Sequence, residues 1–126
     1  FYVQYAHARI RSVMRRAAEQ GLTAAAVPLM EDEAEVQVAR KLAEWPRLVE
    51  IAARGHEPHR IAFYLYELAS DFHALWNRGN EKPGLRFLQE GDPARSAAKI
   101  ALPTAVSVVI SAGLGILGVT PAEEMR

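Results

Sequence analysis

The chain of 126 residues contains no cysteine, which excludes disulfides, thiolate metal sites and thiol nucleophiles. It also has no net charge, because 15 Lys and Arg residues balance 15 Asp and Glu residues. A global basic field that would hold the protein on nucleic acid without sequence preference is therefore excluded, and any contact with nucleic acid must be local. The lack of cysteine is compatible with a reducing compartment, and we expect a cytoplasmic location.

Sequence patterns typical of enzymes and of membrane proteins are also missing. The glycines at 113–118 are not followed by the Lys-Ser/Thr pair of a phosphate loop. His59 and His73 would lie about 21 Å apart along one helix, so they cannot share a metal ion. The uncharged run 100–122 is long enough to span a bilayer. Because it contains Pro103, three glycines and no aromatic anchors, we expect a buried helix of a soluble bundle and no membrane contact.

Apolar residues recur with helical spacing over most of the chain, and no stretch alternates apolar and polar residues as a strand does. The predicted fold class is therefore all-α, a helical bundle that forms one domain over residues 1–126. The start at Phe1 suggests an excised piece of a longer protein. The predicted helices cover residues 1–20, about 31–45, 47–54 and 58–78, with Gly79 closing the fourth, and a last helix from Pro93 that bends at Pro103.

The first predicted helix has two different faces. Its apolar residues fall on one arc about 100° wide; they are Val3, Ala6, Ile10, Val13, Met14 and Ala17. The opposite sector carries Tyr2, Tyr5, Arg9, Ser12 and Arg16. Guanidinium groups bind phosphate oxygens and tyrosine rings stack on unpaired bases, so this sector is typical of a surface for single-stranded or looped nucleic acid.

The same helix allows other interpretations. A basic face that is merely solvated, or one that docks on the four carboxylates of residues 31–35, would have the same pattern. His7 lies at the border of the apolar arc beside Met14, and for this side chain we expect a helix-packing hydrogen bond rather than contact with RNA.

The fourth predicted helix also has two faces. One is a stripe at core spacing, formed by Ile61, Leu65, Leu68, Phe72, Leu75 and Trp76. The other is a continuous stripe of aromatic and hydrogen-bonding residues, formed by His59, Phe63, Tyr66, Ser70, His73 and Asn77. A solvated helix face would carry Lys and Glu instead. The second stripe therefore packs against another helix or a missing domain, or it contacts a ligand directly.

Three segments in the same order share features with a known protein family: FYVQYAHARI at 1–10, LYELASDFHALWN at 65–77 and KIALPTAVSVVISAGLGILGVTPAEEM at 99–125. They resemble the C-terminal anticodon-binding domain (DALR type) of arginyl-tRNA synthetases, and the resemblance spans nearly the whole chain. The sequence departs from the family where Lys99 and Glu124 replace a frequent Arg. Pro103 also interrupts a helix that is commonly unbroken in the family.

The resemblance implies a helical bundle attached to a catalytic domain, in a protein that ligates arginine to its tRNA. The expected partners are the anticodon loop of arginine tRNA and the protein's own catalytic domain, with the oligomeric state left open. The signatures of class I catalytic domains are absent from this sequence. The fragment itself is therefore expected to need no cofactor, whereas the full-length enzyme would use ATP and Mg²⁺.

The resemblance also implies roles for particular residues. Arginine anticodons share a central cytosine, which is the natural target for recognition. Tyr5 is the candidate for stacking on a splayed loop base, with Tyr2 as a second candidate. Arg9 and Arg16 would meet phosphates, and Met125 would help to line an apolar base pocket. No catalytic or metal-ligating residue is expected.

An alternative function is a helical protein-interaction or dimerisation module, in which the second stripe of the fourth helix and the first helix dock on a protein. The equivalent domain of a related class I synthetase, such as the cysteinyl enzyme, is a further alternative. The string QYAHAR at residues 4–9 argues against the latter.

Overall fold

The computed structural model describes residues 1–125, which form five α-helices and one short 3-10 helix. The α-helices are α1 (Tyr2–Glu19), α2 (Glu33–Ala43), α3 (Trp45–Gly55), α4 (His59–Glu81) and α5 (Pro93–Ile116), and the 3-10 helix is Pro83–Leu85. Residues 1–125 contain no strand, so the predicted all-α class is confirmed.

Helix α4 lies at the centre of the bundle and packs against α1, α2, α3 and α5. Its predicted core stripe is buried except for Trp76, which is half-buried and packs on the core. From α1, the apolar arc supplies Ala6, Ile10, Val13 and Ala17 to the same core. Complete burial of one such large apolar side chain stabilises the fold by about 1.5–3 kcal/mol, so these two stripes fix how α1 lies on α4.

Helix α2 begins at Glu33 because Asp32 caps it. The Asp32 carboxylate accepts from the backbone N–H of Ala34 at 3.1 Å, and Glu35 accepts from the backbone N–H of Asp32 at 3.1 Å. This reciprocal pair is a capping box, which satisfies backbone donors that the first turn leaves without partners. The acidic residues that predicted a helix start therefore stabilise it directly.

The predicted end of α4 at Gly79 is wrong. The helix continues to Glu81, and Gly79 is a buried position inside it. A Cβ atom at Gly79 would lie 3.5 Å from the side chain of Arg86, whose Nε donates to the Gly79 carbonyl at 3.1 Å. The glycine thus lets the segment after α4 pack closely against the helix instead of ending it.

Helix α5 runs through Pro103 to Ile116, so this proline does not end the helix, and the bend expected there stays a prediction. Near the other end of α5, Gly113 touches α4: a Cβ at this position would lie 2.8 Å from the methyl carbons of Leu65. The missing side chain at Gly113 therefore allows α5 to approach α4 closely.

By length and composition alone α5 could cross a membrane, but half of its most apolar window is buried inside the bundle.

Candidate functional site

The carboxylates at the start of α2 bind cations from α4 and α5. The pairs are Arg78–Asp32 at 2.9 Å, Arg95–Glu31 at 2.5 Å and Lys99–Glu35 at 3.0 Å. The Arg78 hydrogen bond lowers the pKa of the Asp32 carboxyl, and the Arg95 hydrogen bond lowers the pKa of Glu31. The interpretation in which the basic face of α1 docks on these acids is therefore wrong for the described residues, because the acids already have partners elsewhere.

The two stripes that the sequence predicts on α1 and α4 meet in the structure. The Tyr2 ring lies 4.6 Å from the His73 ring and 5.1 Å from the Tyr66 ring, measured between centroids. The Tyr5 ring lies 5.5 Å from His73 in an edge-on arrangement. Tyr2 and Tyr5 nevertheless remain 38% and 39% exposed. The result is one aromatic surface built from both helices.

Arg9 is held at the centre of this surface. Its Nη1 lies 3.1 Å from Nδ1 of His73, and its Nη2 donates to the Tyr5 hydroxyl at 3.1 Å. The guanidinium carbon lies 4.4 Å from the centre of the Tyr5 ring and 4.9 Å from that of the Trp76 ring. A cation between aromatic rings is attracted by their negative faces, so Arg9 is ordered as well as charged.

His73 is the buried member of the cluster, with 8% of its surface exposed. Burial lowers the pKa of His73 below its ordinary value of 6.5, and the charge of Arg9 lowers it further, against the opposing effect of the hydrogen bond to Tyr2. Nε2 lies 3.4 Å from the Tyr2 carbonyl oxygen, which can only accept. The neutral ring therefore carries its proton on Nε2 and offers the Nδ1 lone pair to Arg9.

The C-terminal segment after α5 lies along α1 and is fastened by two polar side chains. The amide of Gln4 donates to the Thr120 carbonyl at 2.9 Å and accepts from the Ala122 N–H at 2.7 Å. His7 donates from Nδ1 to the Ala122 carbonyl at 2.6 Å, and its Nε2 lies 3.1 Å from the Ser111 hydroxyl. The prediction that His7 makes a helix-packing hydrogen bond is confirmed.

Two arginines on the flank of α1 hold the end of the same segment. Arg11 pairs with the Glu123 carboxylate at 2.9 Å, and Arg15 donates to the Glu123 carbonyl at 3.1 Å. These contacts place Met125, which is 37% exposed, beside α1.

A groove of about 330 Å³ opens between α1 and this C-terminal segment. It is lined by Tyr5, Ala8, Arg9, Ser12, Arg15, Glu124 and Met125. Three of the five residues proposed from sequence thus lie in one groove. Tyr5 and Arg9 come from the start of the chain, and Met125 comes from its other end. An aromatic ring, two guanidinium groups and a thioether can together accept a flat base and its phosphate.

The other two proposed residues flank the groove. Tyr2 packs on His73 and Tyr66 at the start of α1. Arg16 is exposed and lines a separate depression of about 300 Å³, together with Trp76 and Arg86. The structure thus distributes the five residues over one continuous side of the bundle.

Sequence reasoning did not identify Trp76 or Arg15 as parts of this surface. Trp76 was assigned to the core, and it does pack there, but its ring also lies beneath Arg9. Its position on the Arg9 side follows from the crossing of α1 and α4, which has no signal in the sequence. Arg15 lies outside the polar sector of α1 that the sequence singled out, yet it lines the groove.

Comparison with known proteins identifies relatives of this chain. The family model of the DALR anticodon binding domain matches residues 3–125 of this chain. The chain is 71% identical to an arginine–tRNA ligase of Ruegeria pomeroyi and 64% identical to one of Paracoccus denitrificans, in each case over all of this chain and 23% of the relative. The arginyl-tRNA synthetase structure from Thermus thermophilus superposes with a TM-score of 0.73 at 27% identity, over 98% of this chain and 21% of that one.

The chain therefore spans about a quarter of the length of the curated relatives that it matches. From residue 3 onward the family match covers the three segments from which the resemblance was inferred, and it extends across the loops between them. This chain belongs to the family of DALR anticodon-binding domains.

Proposed function

We propose that this chain binds the anticodon loop of arginine tRNA as the anticodon-binding domain of an arginine–tRNA ligase. Residues 1–126 would act as a single domain, joined in the full-length protein to a catalytic domain that attaches arginine to the tRNA with ATP and Mg²⁺. Among residues 1–125 no group of three or more His, Asp or Glu side chains is placed to hold a metal ion. Both cofactors would be bound by the catalytic domain of the full-length protein, which we place in the cytoplasm.

The observation that carries the proposal is the groove between α1 and the C-terminal segment. Stacking of one base on an aromatic side chain contributes about 1–3 kcal/mol to binding, and Tyr5 offers a partly exposed ring for it. Arg9 and Arg15 flank that ring with positive charge, and Met125 closes the apolar side of the groove. The central cytosine of the anticodon is the base that we place there.

Tyr2 and Arg16 extend the surface on either side of the groove. Tyr2 has an exposed ring at the junction with α4, where a second loop base can stack. Arg16 is exposed about two turns beyond Arg9, where it would meet a phosphate further along the loop. An anticodon loop contains several unpaired nucleotides, so a surface of this extent suits it.

The test is a titration of the chain with an arginine tRNA transcript and with a transcript whose central anticodon cytosine is changed, at two salt concentrations. We expect tighter binding of the first transcript at both concentrations, with affinity falling as salt rises because phosphate contacts release counterions. Equal binding of both transcripts, or none, would contradict the proposal.

A second candidate function is a protein-interaction module. It is favoured by Phe63 and Tyr66 on the outer face of α4, which are 65% and 58% exposed. Large aromatic residues exposed side by side often mark an interface. This alternative predicts self-association that depends on protein concentration, without discrimination between the two transcripts.

A further inference from the structure

We infer that His73 is a positioning residue for RNA binding, because its neutral imidazole accepts a hydrogen bond from Arg9 and fixes the guanidinium at the edge of the groove. The inference rests on the proposed function and adds to it a residue that would not touch the RNA. His73 is buried, so its effect on a bound loop would pass through Arg9.

The geometry around Arg9 supports this role. A guanidinium group has five N–H donors. In the described structure one is directed at His73 Nδ1 and one at the Tyr5 hydroxyl, both at 3.1 Å, while the rings of Tyr5 and Trp76 lie near its faces. The other donors are left for phosphate oxygens. A side chain that is ordered before binding loses less conformational entropy when the RNA arrives.

The protonation state of His73 decides whether this arrangement can form. The groups that face the ring are Arg9, Tyr2 and Tyr5 from α1 and Phe72 from α4 itself. Within residues 1–125 no carboxylate lies at ion-pair distance from His73 to stabilise an imidazolium. A proton on Nδ1 would remove the acceptor and place two positive groups in contact, so Arg9 would be displaced.

This gives a pH dependence of unusual sign. An exposed histidine near RNA gains positive charge on acidification and strengthens binding. His73 would do the opposite: binding weakens as the pH falls through its pKa, which lies below the ordinary 6.5. The two cases are therefore distinguished by the direction of the change alone.

The experiment compares two variants of similar size. His73→Asn keeps an acceptor near the position of Nδ1. The leucine of His73→Leu has nearly the same shape as that asparagine but no acceptor. Both are titrated with an RNA hairpin of the arginine anticodon arm at about pH 7.5 and about pH 5.5, at two salt concentrations. Thermal unfolding followed by circular dichroism checks that each variant folds.

We expect His73→Leu to lose roughly tenfold in affinity at the higher pH and to lower the salt slope by about 0.7, the value for one single-strand phosphate contact. His73→Asn should remain within roughly threefold of the unsubstituted chain, with the loss at the lower pH reduced. Equal affinities and equal salt slopes for the two variants, with an unsubstituted chain that binds, would overturn the inference alone. An unsubstituted chain that does not bind would overturn the proposed function and the inference with it.

A second measurement needs no substitution, and it holds even if the leucine variant does not fold. Nitrogen-15 NMR of the imidazole distinguishes the two neutral tautomers. We expect the proton of His73 on Nε2 and a lone pair on Nδ1. The reverse tautomer would overturn the inference, because Nδ1 could not then accept from Arg9.

Discussion

Where α2 meets α5, Lys99 is buried against Glu35 and both residues are 1% exposed, whereas on the α1 side Arg9 lies among aromatic rings and a histidine. The first cation has an opposite charge that neutralises it inside the protein. The second has neutral partners, and so keeps its charge for a ligand. The comparison shows that the partners of a cation separate a structural charge from one that is available for binding.

The largest expected effect comes from breaking the buried pair with Lys99→Met. Glu35 would then be a buried charge without its cation, and we expect the free energy of unfolding in urea to fall by about 3–5 kcal/mol. The control is Arg11→Met, which removes the exposed pair with Glu123 and should cost less than about 1 kcal/mol. Similar losses for both variants would contradict the distinction between the two regions.

The close packing of α5 against α4 is tested by Gly113→Ala. The new Cβ would lie 2.8 Å from Leu65, which is buried and has little room to move, so overpacking should cost about 1–3 kcal/mol. Gly115→Ala is the matched control, since nothing lies within 4 Å of its Cβ and the gain in helix propensity is the same. Equal melting temperatures of the two variants would show that α4 and α5 are less closely packed than described.

On the binding side, Tyr5→Leu should weaken binding of the anticodon hairpin by about 1–3 kcal/mol, because a stacking surface is lost. The salt slope should change less than for His73→Leu, because Arg9 keeps its hydrogen bond to His73 and its contact with the Trp76 ring. Phe63→Leu is the control: it removes another exposed ring, on the outer face of α4 and outside the groove. If Phe63→Leu weakens binding more than Tyr5→Leu, the loop binds elsewhere.

The smallest effect is expected for Arg16→Gln. It should lower the salt slope of RNA binding by about 0.7 and leave the melting temperature nearly unchanged, because Arg16 is exposed. Arg54→Gln serves as the control, since it removes an arginine on α3 that is exposed and paired with Glu50. An equal change of slope for both would indicate that only the total charge matters.

Much of the fold follows from local rules that can be applied to the sequence. Helical spacing predicted the core stripe of α4 and the apolar arc of α1, and the acidic cluster at 31–35 predicted a helix start at which Asp32 provides the cap. Gly79 misled because packing overrides its local preference for a helix end: the glycine is needed inside α4 for a close contact with Arg86.

The candidate site could be predicted only in part. The sequence indicated which residues of α1 are polar or aromatic, and the family resemblance added Met125. The contact between His73 and Arg9 joins residues 64 positions apart and depends on how α1 crosses α4. No periodicity within one helix contains that information, so the merging of the two stripes into one surface required the structure.

The central claim is that RNA binds on the side of the bundle formed by α1 and the C-terminal segment. The most direct measurement is NMR mapping of the chain during titration with the anticodon hairpin, observing backbone amides and the methyl group of Met125. We predict that the signals of Tyr5, Arg9 and Met125 shift together, while those of Glu35 and Lys99 do not move. Shifts confined to the outer face of α4, or to the buried ion pair, would contradict the account.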